Sequence, residues 1–232
     1  MGGGLVLPFY IVGDVSYSMT KQYAEGTPLA ALNEVVTSVK DALDENPLLR
    51  DKVRFCLVDF SDDARTQIPM CDLTSFPVSS IPTLVARGGT SFSSAFRTLR
   101  TQIETDVKQL KADGHKTHRP SVFFVTDGEP TDEVHVWKAA FSELTDPGFA
   151  ARPNFIPFGV GDAKKDTLEQ LVYPAGKMRC FVAKDGVDPA SAIRSMAEIL
   201  IGSVIASANS VSEQGTAGGF VLPDLEEDDD WL

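Results

Sequence analysis

The chain has 232 residues, 43% of them hydrophobic and 23% charged, a balance that suits a folded domain and excludes a mainly disordered or collagen-like chain. Thirty-three acidic residues against 21 Lys and Arg leave a net charge of −12. That acidity disfavours non-specific binding to DNA, RNA or anionic membrane, and suits a cation or a basic face on another protein.

Leu5 to Val12 is an apolar run ending at Gly13-Asp14, as in a strand buried on both faces of a parallel sheet. Thr27-Pro28 gives an N-cap and a proline at the first helical position. Leu29, Leu32, Val36, Val39 and Leu43 follow at helical spacing and predict a helix to about Glu45. Val53 to Phe60 reads as a second strand, Ser61-Asp62-Asp63 as a turn, and Arg65 to Met70 as an antiparallel edge strand. Residues 71–88, with Pro77 and Pro82, read as a loop with one helical turn near Ser79. Phe92, Phe96, Leu99, Ile103, Val107 and Leu110 line one face of a helix that stops near Gly114.

Val122 to Thr126 is a short strand ending at Asp127-Gly128, followed by a helix from about Asp132 to Leu144. Asn154 to Val160 is a strand whose Pro157 requires a position where one backbone donor is not needed. A short helix over Lys165 to Val172, a strand over Met178 to Val182 and a last helix capped by Asp188-Pro189 complete the order. Strands alternating with helices predict an α/β fold: a central sheet of about six strands, mostly parallel with one antiparallel edge, and helices on both faces.

The folded domain is expected over 1–207, and 208–232 as a flexible acidic C-terminal tail. Its end, from Phe220 onward, carries six carboxylates, Asp224, Glu226, Glu227, Asp228, Asp229 and Asp230, and Trp231-Leu232 add apolar anchors for docking. The three cysteines do not make a disulfide framework and read as reduced, partly buried thiols. Arg194 and Glu198 interrupt the apolar stretch Ile193 to Ala206, which is too short to span a membrane. With no secretory signal at Met1-Gly-Gly-Gly-Leu5, the reading is a cytoplasmic protein without membrane or nucleic-acid partners.

Chemistry concentrates just past the strand ends: Asp14-Val-Ser16-Tyr-Ser18 after the first, Asp127-Gly-Glu-Pro after the strand at 122–126, and Gly88-Gly89-Thr90-Ser91 before the third helix. In open parallel sheets, sites form outside the carboxyl ends of strands where the strand order reverses. Two carboxylates and three hydroxyls are hard oxygen donors, which favours Mg²⁺, with Ca²⁺ or Mn²⁺ possible, and disfavours zinc or copper. Gly88-Gly89 lets the backbone bring Thr90 close.

Asp14-Val-Ser16-Tyr-Ser18-Met19 with Gly-Gly-Thr90 and Val-Thr-Asp127-Gly resembles the metal-ion-dependent adhesion site of von Willebrand factor A domains, written DxSxS with a distant Thr and a distant Asp. The resemblance covers roughly residues 5–207 and implies a Rossmann-like, doubly wound fold. It implies that Ser16, Ser18 and Thr90 contact a metal through hydroxyls, that Asp14 and Asp127 act directly or through water, and that a partner protein's Glu or Asp fills the open position. The opening Leu7-Pro-Phe-Tyr-Ile-Val-Gly-Asp14 resembles bacterial tellurium-resistance proteins of the TerY-like group. That implies a stress-response setting with kinase and phosphatase neighbours, or an ATPase partner in complex assembly. Tyr17 departs from the Gly common at its position, and its ring is expected near the metal.

Other polar groups read as structural. Glu129 and Asp132 suit helix-start acids, Asp59 with Asp62-Asp63 a solvated turn rather than a second cation site, and His115 with His118 a solvated basic loop. No phosphate loop, dinucleotide fingerprint or nucleophile elbow is present. An aspartyl-phosphate hydrolase would want a second Asp where Ser16 stands, so a non-enzymatic binding module is expected. A carboxylate of the acidic tail on the domain's own metal or on that of a neighbouring molecule would inhibit partner binding or build chains of molecules.

Overall fold

The computed structural model describes residues 4–215, 218–223 and 230–232. Strands β1 (Leu5–Asp14), β2 (Val53–Phe60), β3 (Ala64–Cys71), β4 (Lys116–Thr117), β5 (Ser121–Thr126), β6 (Asn154–Gly159) and β7 (Phe181–Val182) build one sheet. Their order is β3-β2-β1-β5-β6-β7, with β4 paired to the start of β1. Only the β2–β3 pair is antiparallel, among the described residues. The helices are α1 (Pro28–Asp44), α2 (Pro47–Arg50), α3 (Phe92–Ala112), α4 (Val134–Thr145), α5 (Lys165–Glu169) and α6 (Pro189–Gln214). The mostly parallel α/β sheet read from the sequence is the architecture found.

Side-chain alternation on β1 explains its unbroken apolar run. Leu7, Phe9 and Ile11 join Leu32 and Val36 of α1 and Ile193 and Leu200 of α6 on one face. Tyr10 and Val12 join Phe96 and Leu99 of α3 and Phe141 of α4 on the other. Each fully buried side chain of this size contributes about 1.5–3 kcal/mol, so β1 is fixed from both sides. Local signals start the helices: Thr27 Oγ1 accepts from the Ala30 N–H at 3.1 Å, and Asp188 Oδ1 from the Ala190 N–H at 2.9 Å.

Three short or terminal features differ from the sequence reading. The basic loop over 111–119 contains β4, and His118 is half-buried, its Nε2 enclosed without a hydrogen-bond partner among the described residues and its pKa lowered by burial. The strand expected over 178–182 narrows to β7, and the helix expected to Val172 ends at Glu169. Pro157 is tolerated because alternate backbone groups of a strand point the same way. Phe155 N–H leaves the sheet path to reach the Tyr173 carbonyl at 2.7 Å, and β7 meets β6 further on, at Phe158 and Gly159.

Helix α6 runs through the boundary expected at 207, with Ala208 and Val211 buried in the core. It is long and apolar enough to cross a membrane by length and composition. One of its faces packs on α1 and the sheet, and Arg194 pairs with Glu34 of α1 at 2.7 Å. Of the tail expected from 208 onward, Phe220 packs on Phe9 and Phe123, and Trp231 is buried beside β7. The acidic run 224–229 lies outside the described residues. The cysteines are free thiols, with Cys56 and Cys180 buried.

Candidate metal centre

β1 leads to β2 on one side and borders β5 on the other, so the strand order reverses between β1 and β5. Asp14 ends β1, and Asp127 follows the last residue of β5. The two carboxylates therefore emerge side by side at the carboxyl end of the sheet.

A chain of hydrogen bonds joins them. The Ser16 N–H donates to Asp14 Oδ1 at 2.8 Å, the Ser16 and Ser18 hydroxyls lie 2.9 Å apart, and Ser18 donates to Asp127 Oδ1 at 2.7 Å. The Thr126 hydroxyl donates to Asp14 Oδ2 at 2.7 Å. Asp14 and Asp127 are buried and Ser18 is exposed, so the cluster has a closed floor and an open side.

Thr90 is brought alongside through the backbone. Arg87 N–H donates to the Val15 carbonyl at 2.7 Å and Tyr17 N–H to the Gly88 carbonyl at 3.3 Å, stitching the glycine loop to the Asp14–Ser18 turn. The Thr90 carbonyl accepts from the Thr131 N–H at 2.8 Å, tying in the loop after Asp127 as well. Gly88 has φ +56°, and a Cβ there would lie 2.3 Å from Asp62 Oδ2. Only glycine fits both that conformation and that approach. Tyr17 is 66% exposed, and Val85 in the loop before Gly88 and Val134 at the start of α4 are exposed as well.

The electrostatics fit a divalent cation. Burial pushes the Asp14 carboxyl up to about 7 despite the hydrogen bonds from Ser16 and Thr126 that oppose it. Burial also raises Asp127, with Asp162 adding to the effect and Ser18 and Lys21 opposing it. Two adjacent buried carboxylates raised in this way hold unfavourable charge that a cation would relieve. Among the described residues no group of three or more His, Cys, Asp or Glu side chains could hold a metal. This donor set has two carboxylates, and the rest of its oxygens come from hydroxyls, which suits a hard cation that keeps water ligands.

Other acids named from the sequence have structural work, in part different from the expectation. Asp59, at the end of an apolar strand, is 1% exposed and accepts a two-point contact from Arg87 at 2.7 and 2.8 Å, so it is not solvated. Asp62 Oδ1 accepts from the Gly89 N–H at 3.0 Å. Together they clamp the loop that carries Thr90. Asp132 accepts from the Ser93 N–H at 2.7 Å and so caps α3, not the helix it precedes. Glu129 accepts from the Lys164 N–H at 3.0 Å and from the Thr167 hydroxyl at 2.7 Å, holding the start of α5. Sequence reasoning missed Arg87 and Thr126 as positioning residues. A carboxylate inside an apolar strand demands a cationic partner, so Asp59 was the available signal for Arg87.

The family model for the von Willebrand factor type A domain matches residues 9–129, about half of the chain and all five candidate ligands. The chain belongs to the von Willebrand factor type A (vWA) family. No curated protein matches it in sequence. Among solved structures, a von Willebrand factor type A protein from Catenulispora acidiphila is 18% identical, with a TM-score of 0.62 over 87% of this chain and 43% of that one. Proximal thread matrix protein 1 from the mussel byssus, solved with a zinc-occupied MIDAS motif, is 18% identical, with a TM-score of 0.58 over 87% of this chain and 48% of that one. The VWA domain of SpRpn10 is 10% identical, with a TM-score of 0.60 over 82% of this chain and 95% of that one. The chain spans less than half the length of the first two. At these identities the likeness establishes the Rossmann-like vWA fold, and vWA domains are a family of protein-interaction modules.

Proposed function

We propose that this vWA domain is a non-enzymatic module that binds another protein through a divalent cation, Mg²⁺ by donor chemistry, held by Asp14, Ser16, Ser18, Thr90 and Asp127. The observation that carries this is the hydrogen-bonded chain from Asp14 through Ser16 and Ser18 to Asp127, which joins the ends of β1 and β5 around two raised carboxylates. When bound, the cation supplies positive charge and an open position for a carboxylate from the partner. Ser16 and Ser18 are set by the turn, Thr126 orients Asp14, and the Arg87–Asp59 clamp positions Thr90. Tyr17, exposed between Ser16 and Ser18, offers apolar contact to the entering residue. The zinc-occupied motif of the mussel protein supports a cation at this place in the fold. The resemblance of Leu7 to Met19 to TerY-like proteins supports a cytoplasmic, bacterial stress-response setting.

The test has two stages. Calorimetric titration of the chelator-treated chain with Mg²⁺ is expected to show one site, lost in Asp14→Ala. A pull-down with the whole chain as bait is then run in excess Mg²⁺, in excess chelator, and with the Asp14→Ala bait. A partner that needs both metal and Asp14 supports the reading. A partner retained in chelator and by the variant moves the interface elsewhere.

A further inference from the structure

The outer edge of the sheet carries a second feature, independent of the metal. β7 is two residues long and pairs with β6 on its inner side. An edge of this kind leaves backbone donors and acceptors open. Here the chain's own Asp230-Trp231-Leu232 fills them in antiparallel fashion. Trp231 bridges Ala183, the Lys184 N–H donates to the Asp230 carbonyl at 2.8 Å, and the Leu232 N–H donates to the Val182 carbonyl at 2.9 Å.

The Trp231 ring sits in a slot made by three elements. It meets Phe158 of β6 edge-on at 5.3 Å and Phe181 of β7 at 6.1 Å, and its Nε1–H donates to Ser195 Oγ of α6 at 3.1 Å. Phe158 and Phe181 themselves stack at 4.5 Å and are fully buried, so the slot walls are rigid. Trp231 is 3% exposed, while Leu232 beside it is 55% exposed. One aromatic anchor with a polar handle, flanked by main-chain hydrogen bonds, is the pattern of strand-addition recognition.

We propose that this edge and slot are an exchangeable docking site for an Asp-Trp-Leu segment, filled by the chain's own segment in one copy and open to the same segment of a second copy. The occupant is argued from its seating: this sequence is the one whose backbone register, ring and indole N–H are all met by the groove. A tethered segment competes at an effective concentration of about millimolar, so exchange between copies appears only where copies are concentrated or the resident segment is withdrawn. Two chains of net charge −12 repel each other, so added salt should favour the exchange.

The test uses full-length chains. Trp231→Ala leaves the slot vacant, and Ser195→Arg blocks the slot but keeps the segment. By sedimentation velocity in 0.3 M salt each variant alone is expected to be monomeric, and an equimolar mixture to form a one-to-one complex. As a second measurement, a fluorescent peptide of residues 227–232 is titrated by anisotropy. It should bind the Trp231→Ala chain at least tenfold more tightly than wild type, and a peptide with Trp replaced by Ala should bind neither. Complex formation must survive chelator, which separates it from a tail carboxylate reaching a neighbour's metal. A mixture that stays monomeric overturns the second copy as occupant. A peptide that binds neither chain overturns the docking site itself.

Discussion

Asp14 is the candidate ligand most strongly affected by burial. Its carboxyl, pushed up to about 7 by burial, lies well above the ordinary value of about 3.9. In the metal-free chain its contribution to stability is therefore complete below about pH 4 and lost as pH rises through about 7. At the proposed site protons would compete with the cation for the same oxygens, so Mg²⁺ affinity should rise by up to roughly tenfold per pH unit towards pH 7 and flatten above it. Calorimetric titrations between pH 5.5 and 8.5 would show this, and a flat profile would count against Asp14 as a ligand. Asp14→Asn removes the charge and keeps an acceptor. The metal-free variant should melt no lower than wild type at pH 8, and Mg²⁺ should no longer raise its melting temperature. Arg87 makes the opposite case. Asp59 is 1% exposed and meets Arg87 at 2.7 Å, so Arg87→Ala strands a buried carboxylate and should cost about 3 kcal/mol in urea unfolding. Arg87→Lys cannot restore the two-point contact and should recover only part of the loss.

At the scale of elements, α6 shows how much stability lies past the boundary read from the sequence. Ala208 and Val211 are buried against the core, so Val211→Asp should unfold the chain at markedly lower urea concentration. Leu200→Ala, deeper in the same helix, should cost about 3 kcal/mol. If both variants unfold like wild type, the packing of α6 on the sheet is not what holds it. The long elements were legible because their patterns repeat: the apolar run of β1, the five inward residues of α1 and the six of α3 were each read within a few residues. β4 was not, and β7 was read too long, over 178–182, because two residues carry no period. They exist because the neighbouring strand edge offers backbone partners, which is tertiary information. The end of α6 was lost for a related reason. Small residues such as Ala206, Ser207 and Ala208 look like linker in composition, yet suit a helix packed closely on the sheet. The candidate site divides the same way. Its five ligand positions form a pattern with fixed types, whereas Arg87, Thr126 and Asp132 act across loops that only the fold brings together.

At the scale of the whole molecule, charge and topology make different contributions to binding. Topology places the candidate ligands at the carboxyl end of β1 and β5, where the strand order reverses and three loops converge. The chain's net charge of −12 repels an approaching carboxylate at long range, and only the proposed cation would attract it at short range. A partner that delivers Glu or Asp against this field needs basic residues around it, so that the long-range attraction outweighs the repulsion at its tip. Long-range steering is screened within about 10 Å at 0.1 M salt, whereas a desolvated contact at a metal is screened far less. The two effects therefore separate in kinetics. With the partner from the pull-down in hand, surface-plasmon measurements between about 0.05 and 0.3 M salt should show association slowing severalfold while dissociation changes little. Chelator added to the formed complex should do the reverse and speed its dissociation. Association that accelerates with salt would mean that the partner's face is acidic, and that the domain's charge selects against its partner rather than for it.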